Sequence, residues 1–199
     1  MRDAENIREV ETLGIDLMGF IFWPKSSRYV SERPAYLPTK CKRVGVFVDE
    51  DIEQVKRIAD EYALDFIQLH GHESPEYCTQ LKGMHLIKAI SVSGRDDIET
   101  YKAYEGLVDY FLFDTKCPSV GGSGQQFDWS VLSAYDGDTP FLLSGGIGPH
   151  DASRLRQAFA LDGFPVEKCV GIDLNSRFEL SPGLKDVNKL KEFIKELSI

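Results

Sequence analysis

Asp114 stands where a catalytic proton donor is expected, and Asp173 occupies a similar place. Asp114 directly follows the apolar segment Tyr110–Phe113, and Asp173 directly follows Cys169–Ile172. A carboxyl group at the end of a buried strand is partly desolvated and keeps its proton more readily, which suits a general acid. The structural alternative for Asp114 is to cap the next turn or to pair with Lys116. Asp173 either binds hydroxyl groups of a substrate or holds its own loop.

Further polar candidates occur at the ends of two other apolar segments. Gln68 and His70 lie at the end of Phe66–Leu69. His70 is either a catalytic base or a hydrogen-bonded structural residue. Arg28 belongs to the loop Trp23–Tyr29, and its guanidinium can bind a substrate carboxylate through two parallel hydrogen bonds. The alternative for Arg28 is an exposed basic loop.

Two loops near the end of the chain predict an anion site. Gly145 and Gly146 directly follow Phe141–Leu143, and glycine lets backbone N–H groups approach an anion closely. After the last apolar segment, Asn175 or Ser176 can cap a short helix whose amino end faces the same anion. The alternative is that the glycine pair forms only a turn.

These candidates all lie at or just after the end of an apolar segment, and along the whole chain such segments alternate with helical patterns. Such alternation predicts parallel strands covered by helices. The predicted strands are Leu17–Phe22, Arg43–Val48, Phe66–Leu69, Leu86–Ile90, Tyr110–Phe113, Phe141–Leu143 and Cys169–Ile172. The predicted helices are Asp3–Leu13, Ile52–Ala63, one that begins at Pro75, Asp97–Tyr104, Trp129–Ala134, Asp151–Ala160 and Asp186–Leu197, with only a short or irregular helix at Ser31–Thr39.

The predicted fold class is α/β, a parallel (β/α)8 or TIM barrel, in a single domain over residues 1–199. Seven strands are visible instead of eight, and the helix Asp3–Leu13 precedes all of them. Because a barrel of this class begins with a strand, the missing element is strand 1. The carboxyl ends of barrel strands carry the active site, and the loops after the last two strands often bind phosphate. We therefore expect the polar residues above to share one mouth.

Composition narrows the class of partner. The net charge of −9 argues against nucleic acid and membrane surfaces as partners, because both require a basic face. No apolar run approaches the roughly 20 residues of a membrane span, and no signal peptide is visible, so the expected location is the cytoplasm. The 4 cysteines, Cys41, Cys78, Cys117 and Cys169, form no CxxC pair, which predicts reduced thiols without a metal site or a disulfide framework.

Seven short motifs form an ordered set along nearly the whole chain. They are Gly19–Phe22 with Ser26–Val30, Gly45–Val48, Gln68–Gly71, Leu112–Thr115, Gly121–Gly124 with Phe127–Trp129, Ser144–Ile147 and Ser181–Asp186. Each motif is weak alone, but together they resemble the phosphoribosylanthranilate isomerase family of tryptophan biosynthesis. The glycine-rich Gly121–Gly124 is flexible enough to form a lid.

The resemblance implies an Amadori rearrangement of N-(5-phosphoribosyl)anthranilate to 1-(o-carboxyphenylamino)-1-deoxyribulose 5-phosphate. It implies that Asp114 is the general acid and that Arg28 holds the anthranilate carboxylate. The other site residues that it implies are Gly145, Gly146, Asn175 and Ser176 as phosphate ligands, and Gln68, His70 and Asp173 as pocket-lining residues. No metal and no organic cofactor are implied, and we expect a monomer or a homodimer.

Two departures from the family pattern affect these expectations. The family's general base is a cysteine in a Lys-x-Cys-Gly motif at the end of strand 1, and Met1 aligns just after that motif. None of the 4 cysteines matches it. We hypothesise that Met1 is an internal methionine of a longer reading frame, and we expect low turnover without the base. Arg177 stands where the family often has glycine, and it either adds charge to the anion site or projects into solvent.

Two alternative functions stay open. One is another phosphosugar barrel enzyme, such as an indole-glycerol-phosphate synthase or a pentose-phosphate epimerase. The synthase would carry lysines at strand ends, whereas Lys88 lies within a strand; the epimerase would carry metal-binding histidines there, and only His70 is so placed. The other alternative is a non-catalytic barrel that binds a phosphorylated ligand.

Overall fold

The computed structural model describes residues 1–115 and 128–197. Seven parallel strands form one sheet in the order β1-β2-β3-β4-β5-β6-β7, so each strand pairs with its neighbours along the chain. The strands are β1 Leu17–Ile21, β2 Lys42–Phe47, β3 Phe66–Leu69, β4 His85–Val92, β5 Tyr110–Thr115, β6 Phe141–Leu143 and β7 Cys169–Ile172. Each lies where the sequence predicts a strand, which confirms the predicted parallel α/β architecture.

Helices follow most of the strands, and several begin where local chemistry favours a helix start. They are α1 Ala4–Glu11, α2 Ile52–Tyr62, α3 Pro75–Gln80, α4 Arg95–Ile98, α5 Ala152–Phe159 and α6 Val187–Leu197. The side chains of Asp3, Asp51 and Ser74 each accept a hydrogen bond from a backbone N–H of the following first turn. Among the described residues we find no membrane-crossing helix, since each helix is too short or too polar.

Three predicted helices differ from the structure. Asp97–Tyr104 is divided between α4 and a 3-10 helix, Glu99–Ala103, and Trp129–Ala134 is also a 3-10 helix. A 3-10 helix rises about 2.0 Å per residue, more than the roughly 1.5 Å of an α-helix, so these short segments span a given distance with fewer residues. Ser31–Thr39 forms bends without a helix.

The chain after β7 contains a hairpin that the sequence pattern does not predict. A single 3-10 turn, Ser176–Phe178, leads into the antiparallel strands β8, Glu179–Ser181, and β9, Leu184–Lys185. Gly183 turns the chain between them with a φ of 85°, in the left-handed region that favours glycine. These strands have only 3 and 2 residues, which is too short for an alternating apolar pattern.

Apolar side chains cover both faces of the curved sheet. The interior cluster consists of Val44, Ile87, Ala89 and Leu112, and a larger cluster lies between the sheet and the helices. Since side chains alternate along a strand, Gln68 and Asp114 share the interior face with Phe66 and Leu112, two residues earlier. The strand pattern therefore turns these polar groups inward at the carboxyl end of the sheet.

The sheet has two edge strands, β1 and β7, and in the described residues each pairs with a strand on one side only. At the outer edge of β1, the Met1 ammonium donates to Gly19 O at 2.7 Å, and Val30 N donates to Ile21 O at 2.9 Å. The interior cavity continues through the slot between the two edges. The slot is lined by apolar residues that include Val10, Val170, Leu190, Ile194 and Leu197.

Candidate active site

The carboxyl ends of the strands open into one cavity of about 1950 Å³. This cavity exceeds the roughly 300–1,000 Å³ of ordinary ligand pockets because it runs through the slot between β1 and β7. The predicted site residues that line it are Arg28, Gln68, His70, Asp114, Gly146, Asp173, Asn175 and Ser176. Gly145 is buried beside Gly146. The structure thus brings the predicted residues to a single mouth.

Asp114 and His70 face each other across this mouth. Asp114 Oδ2 lies 3.3 Å from His70 Nε2, and the two side chains are 22% and 18% exposed. The other ring nitrogen, Nδ1, lies 2.9 Å from the amide nitrogen of Gln68, which acts as its donor. In a neutral ring the hydrogen is then on Nε2, the nitrogen that faces Asp114. Asp114 Oδ1 accepts from the N–H of Thr115 at 2.8 Å, so its orientation is fixed from both sides.

Asp173 is the second carboxyl group of the mouth. Its Oδ2 accepts a 3.0 Å hydrogen bond from Ser144 Oγ, which lies directly after β6. Enclosure by protein raises the pKa of Asp173; Lys185 opposes this shift, and the charge of Asp114 adds to it. A carboxyl group that keeps its proton more readily can donate as well as accept a hydrogen bond, which suits contact with substrate hydroxyl groups.

The two predicted anion loops differ in their geometry. Gly145 and Gly146 both adopt left-handed φ angles, 96° and 65°, which favours glycine at both positions. The predicted short helix after β7 is only the 3-10 turn Ser176–Phe178, and the Asn175 side chain makes no capping hydrogen bond to it. The predicted short helix is therefore reduced to one 3-10 turn that Asn175 does not cap, and such a turn aligns few peptide dipoles toward an anion.

Lys185 supplies positive charge beside the loop after β7. Its Nζ donates to Asn175 O at 3.0 Å and Oδ1 at 2.9 Å, and lies 3.3 Å from Glu179 Oε1. Burial lowers the pKa of Lys185, and the carboxylates of Glu179 and Asp173 oppose that shift. The short hairpin β8-β9 thus places the buried Lys185 cation against Asn175, which the sequence analysis predicts as a phosphate-binding residue.

Arg28 is held by a carboxylate of its own chain. Its Nε and Nη2 donate to the two carboxylate oxygens of Glu179 at 2.7–3.0 Å, and the two side chains are 13% and 4% exposed. Burial favours a higher pKa for Glu179, but hydrogen bonds from Arg28 and the charge of Lys185 hold that pKa below its usual range. The alternative of an exposed basic loop is therefore wrong for Arg28.

Glu179 and Lys185 are functional candidates that the sequence pattern does not identify. Both belong to the short hairpin, and Arg28, the partner of Glu179, lies 151 residues away along the chain. The signal that the sequence does contain is Gly183 after Pro182, which is a turn dipeptide. This signal predicts a turn but not the side chains that the turn brings together.

We expect the Glu179→Gln substitution to destabilise the fold by about 3–5 kcal/mol, because it leaves Arg28 and Lys185 buried without their carboxylate. Urea unfolding followed by circular dichroism measures this change. The matched control is Glu5→Gln, which breaks an ion pair with Arg8 whose side chains are 73% and 49% exposed, and it should cost less than about 1 kcal/mol. Equal losses in the two variants would contradict a supporting role for the buried cluster.

The described thiols lie away from the mouth. Cys41 directly precedes β2 and Cys169 begins β7, so both are at the amino ends of strands, and Cys78 is buried in α3. Burial raises the pKa of both Cys41 and Cys169 to about 11, which keeps these thiols protonated. Three sequence candidates, Cys117, Lys116 and the lid segment Gly121–Gly124, lie outside the described residues. Within residues 1–115 and 128–197, no cluster of metal-ligating side chains is found.

The parallel sheet, with polar side chains at its strand ends, defines the class of β/α-barrel enzymes. A family model described as N-(5'phosphoribosyl)anthranilate (PRA) isomerase matches residues 1–196. The chain belongs to this family of isomerases. It is 51% identical to the N-(5'-phosphoribosyl)anthranilate isomerase of Phocaeicola vulgatus over 199 residues, covering 99% of this chain and 94% of the relative. The enzyme of the same name from Parabacteroides distasonis is 49% identical over 99% of this chain and 90% of the relative.

Solved structures of the family share the fold. The phosphoribosyl anthranilate isomerase of Thermotoga maritima superposes with a TM-score of 0.83 at 35% identity, covering 100% of this chain and 95% of that chain. A phosphoribosyl anthranilate isomerase in complex with reduced 1-(o-carboxyphenylamino)-1-deoxyribulose 5-phosphate gives a TM-score of 0.79 at 32% identity, covering 100% and 98%. These matches agree with the barrel architecture described above.

Proposed function

We propose that the mouth of this barrel catalyses the Amadori rearrangement of N-(5'-phosphoribosyl)anthranilate, a step of tryptophan biosynthesis. The observation that carries the proposal is the placement of Asp114, at the end of β5, in the same cavity as Arg28 and Gly146. A proton donor, a cation for a carboxylate and an anion loop are the three features that this substrate requires. Family membership supports the same assignment.

In the first step Asp114 acts as the general acid. Its carboxyl proton goes to the ring oxygen of the ribose, and the bond from that oxygen to C1 breaks. The lone pair of the anthranilate nitrogen forms a double bond to C1, which gives a protonated Schiff base and a free hydroxyl group on C4. Proton transfer by a positioned group contributes about 10²- to 10⁴-fold to the rate. The contact with His70 holds the Asp114 carboxyl group at the mouth for this transfer.

In the second step a base removes the proton from C2. The electron pair of that C–H bond forms a double bond between C1 and C2, and the nitrogen regains its lone pair, which gives an enolamine. The hydroxyl on C2 then loses its proton while C1 gains one, and the product is the ketone. Substrate and product are isomers, so the sequence of steps needs no oxidant or reductant.

The two ends of the substrate have separate binding groups in this proposal. Gly145 and Gly146 offer backbone N–H groups to the phosphate, and Asn175 and Ser176 approach it from the loop after β7. Arg28 holds the anthranilate carboxylate through Nη1, because its Nε and Nη2 donate to Glu179. Gln68, His70 and Asp173 surround the ribose.

The proposed reaction also requires a base that removes the C2 proton in the second step. The family resemblance assigns it to a cysteine in a Lys-x-Cys-Gly motif, and this motif does not occur in the 199 residues. The Met1 nitrogen bonds to Gly19 O at the outer edge of β1, and Met1 lines the cavity. A residue joined to that nitrogen would lie in the slot between β1 and β7, beside the mouth. We propose this slot as the place from which such a cysteine would act.

Calorimetric titration with reduced 1-(o-carboxyphenylamino)-1-deoxyribulose 5-phosphate tests the proposed site. We expect a micromolar or tighter Kd, equivalent to about −8 kcal/mol or better, and a much weaker one for the same compound without its phosphate. Failure to bind, or equal binding of both compounds, would exclude the site. Binding without turnover, even after a Cys-bearing segment is added, would favour the alternative of a non-catalytic phosphate-ligand barrel.

The proposed setting is the cytoplasm, and the proposed partner is the small-molecule substrate, without nucleic acid or membrane. The assembly state is proposed as a monomer or a homodimer, as predicted from the sequence. A relative from Thermotoga maritima has been crystallised as monomers generated from a dimeric phosphoribosylanthranilate isomerase, at 32% identity and a TM-score of 0.79. Both states therefore have a precedent in a related chain.

A further inference from the structure

A buried ion pair lies behind the mouth, on the face of the sheet that the helices cover. Lys88 Nζ lies 2.9 Å from Glu73 Oε2, and the two side chains are 4% and 1% exposed. Lys88 stands in the middle of β4, between the interior residues Ile87 and Ala89, so its side chain points toward the helices. The proposed chemical steps use neither charge directly.

Both members of this pair bind the backbone that flanks His70. Lys88 Nζ donates to Leu69 O at 3.3 Å and to Gly71 O at 2.8 Å. Glu73 accepts the N–H of Gly71 at 3.0–3.2 Å. The peptide groups before and after His70 are therefore tied to the same two buried charges.

The loop around Gly71 packs without free space. Glu73 Oε1 also accepts the N–H of Asp49 at 2.9 Å, which joins the loop after β2 to the loop after β3. A Cβ atom on Gly71 would lie 2.4 Å from Asp49 Oδ1 and 2.8 Å from Asp49 N. Asp49 packs closely against the Gly71 backbone, and Glu73 bonds to the backbone N–H groups of both residues. We therefore expect a displacement of Glu73 to displace the backbone next to His70.

We propose that Glu73 and Lys88 are positioning residues that hold His70, and through it Asp114, in the arrangement that proton transfer requires. The imidazole bridges Gln68 and Asp114 with contacts of 2.9 and 3.3 Å, so a backbone shift of about 1 Å separates at least one of these pairs. The inference rests on the proposed role of Asp114 as the general acid.

The energetics of buried charge favour this role over a purely stabilising one. Removing two charges from water offsets most of their attraction, and apolar side chains of similar volume often stabilise a fold equally well. What an apolar pair cannot provide is the set of directional hydrogen bonds to Leu69, Gly71 and Asp49. The ion pair therefore fixes the position of a loop, and the free energy of removing its two charges from water offsets much of its contribution to stability.

The test compares Glu73→Gln with Glu11→Gln. Glu11 is a matched control because its carboxylate is also buried and also binds a loop, by accepting from the backbone N–H groups of Thr39 and Lys40 and from the hydroxyl of Tyr36 at the opposite end of the sheet. Both variants should lose stability in thermal unfolding. Only Glu73→Gln should shift or broaden the ring ¹⁵N resonances of His70, and only this variant should lower kcat by about 10- to 100-fold with little change in KM.

A double variant, Glu73→Leu with Lys88→Met, separates positioning from stability. It should regain most of the Tm lost in Glu73→Gln, because no unpaired charge stays buried, while the His70 resonances and kcat stay altered. Unchanged His70 resonances in both Glu73 variants, or equal changes in Glu11→Gln, would overturn the proposal. The resonances need no turnover. A chain that stays inactive even with the Cys-bearing segment added would contradict the proposed function, while this readout would still decide the role of the pair.

Discussion

Adding a strand of about five residues before Met1, with Lys-x-Cys-Gly at its end, should raise kcat/KM for N-(5'-phosphoribosyl)anthranilate by about 10²- to 10⁴-fold, the range that a positioned base contributes. The slot between β1 and β7 is open, lined by apolar residues and continuous with the mouth, so it can receive such a strand. The thiol would then stand across the mouth from Asp114. Steady-state kinetics of the 199-residue chain and of the extended chain measure the difference.

The matched control carries the same extension with Lys-x-Ser-Gly. This segment fills the slot equally well but lacks a thiol, so it should restore stability and ligand binding without the gain in rate. Equal gains from the cysteine and serine extensions would show that closing the sheet, rather than supplying a base, limits turnover. No gain from either would contradict the assignment of the base to this slot.

Replacing Asp114 with asparagine should lower kcat/KM in the extended chain by about 10²- to 10⁴-fold, because an amide cannot donate the proton that opens the ribose ring. The Kd of the reduced product analogue should change far less, since the amide has nearly the same size and its oxygen can still accept a hydrogen bond from Thr115 or from His70. Kinetics and calorimetry on the same preparation separate the two effects.

Asp109→Asn provides the control for this second substitution. Asp109 directly precedes β5, whereas Asp114 lies near its carboxyl end, and its Oδ1 lies 3.0 Å from His85 Nδ1 in a similar Asp–His contact. Because this contact lies away from the mouth, its loss should leave kcat within about 2-fold. A comparable fall in both variants would mean that Asp–His contacts support the sheet and that Asp114 is not the acid.

The sequence predicts the site well where a residue's position on a strand decides its direction. Asp114, Asp173 and Gln68 lie at or just beyond the ends of apolar segments, and the alternation of a parallel strand turns them into the mouth. The glycine pair is predicted for a similar reason, since Gly145 and Gly146 follow β6 directly. For these residues the strand pattern alone contains the needed information.

The sequence predicts the site poorly where a contact joins distant loops. Arg28 is recognisable as a carboxylate ligand, but nothing in its neighbourhood indicates that its Nε and Nη2 already donate to Glu179. Lys88 gives a partial signal, because a lone lysine within an apolar strand must be paired if it is buried. Its partner Glu73 lies in a loop rich in polar residues, where one carboxylate cannot be distinguished from another by pattern.

In the described residues no strand covers the outer edge of β1 or β7, although Met1 and Val30 bond to part of the β1 edge. These edges have a consequence for the behaviour of the protein at high concentration. Both strands run in the same direction, so the outer edge of β7 in one molecule is complementary to the outer edge of β1 in the next. Such a contact joins two different surfaces, so it builds rings or filaments instead of ending at a symmetric dimer. Val170, 55% exposed on β7, adds an apolar side chain to that edge. A strand that fills the slot would remove both edges at once and protect the chain from this polymerisation.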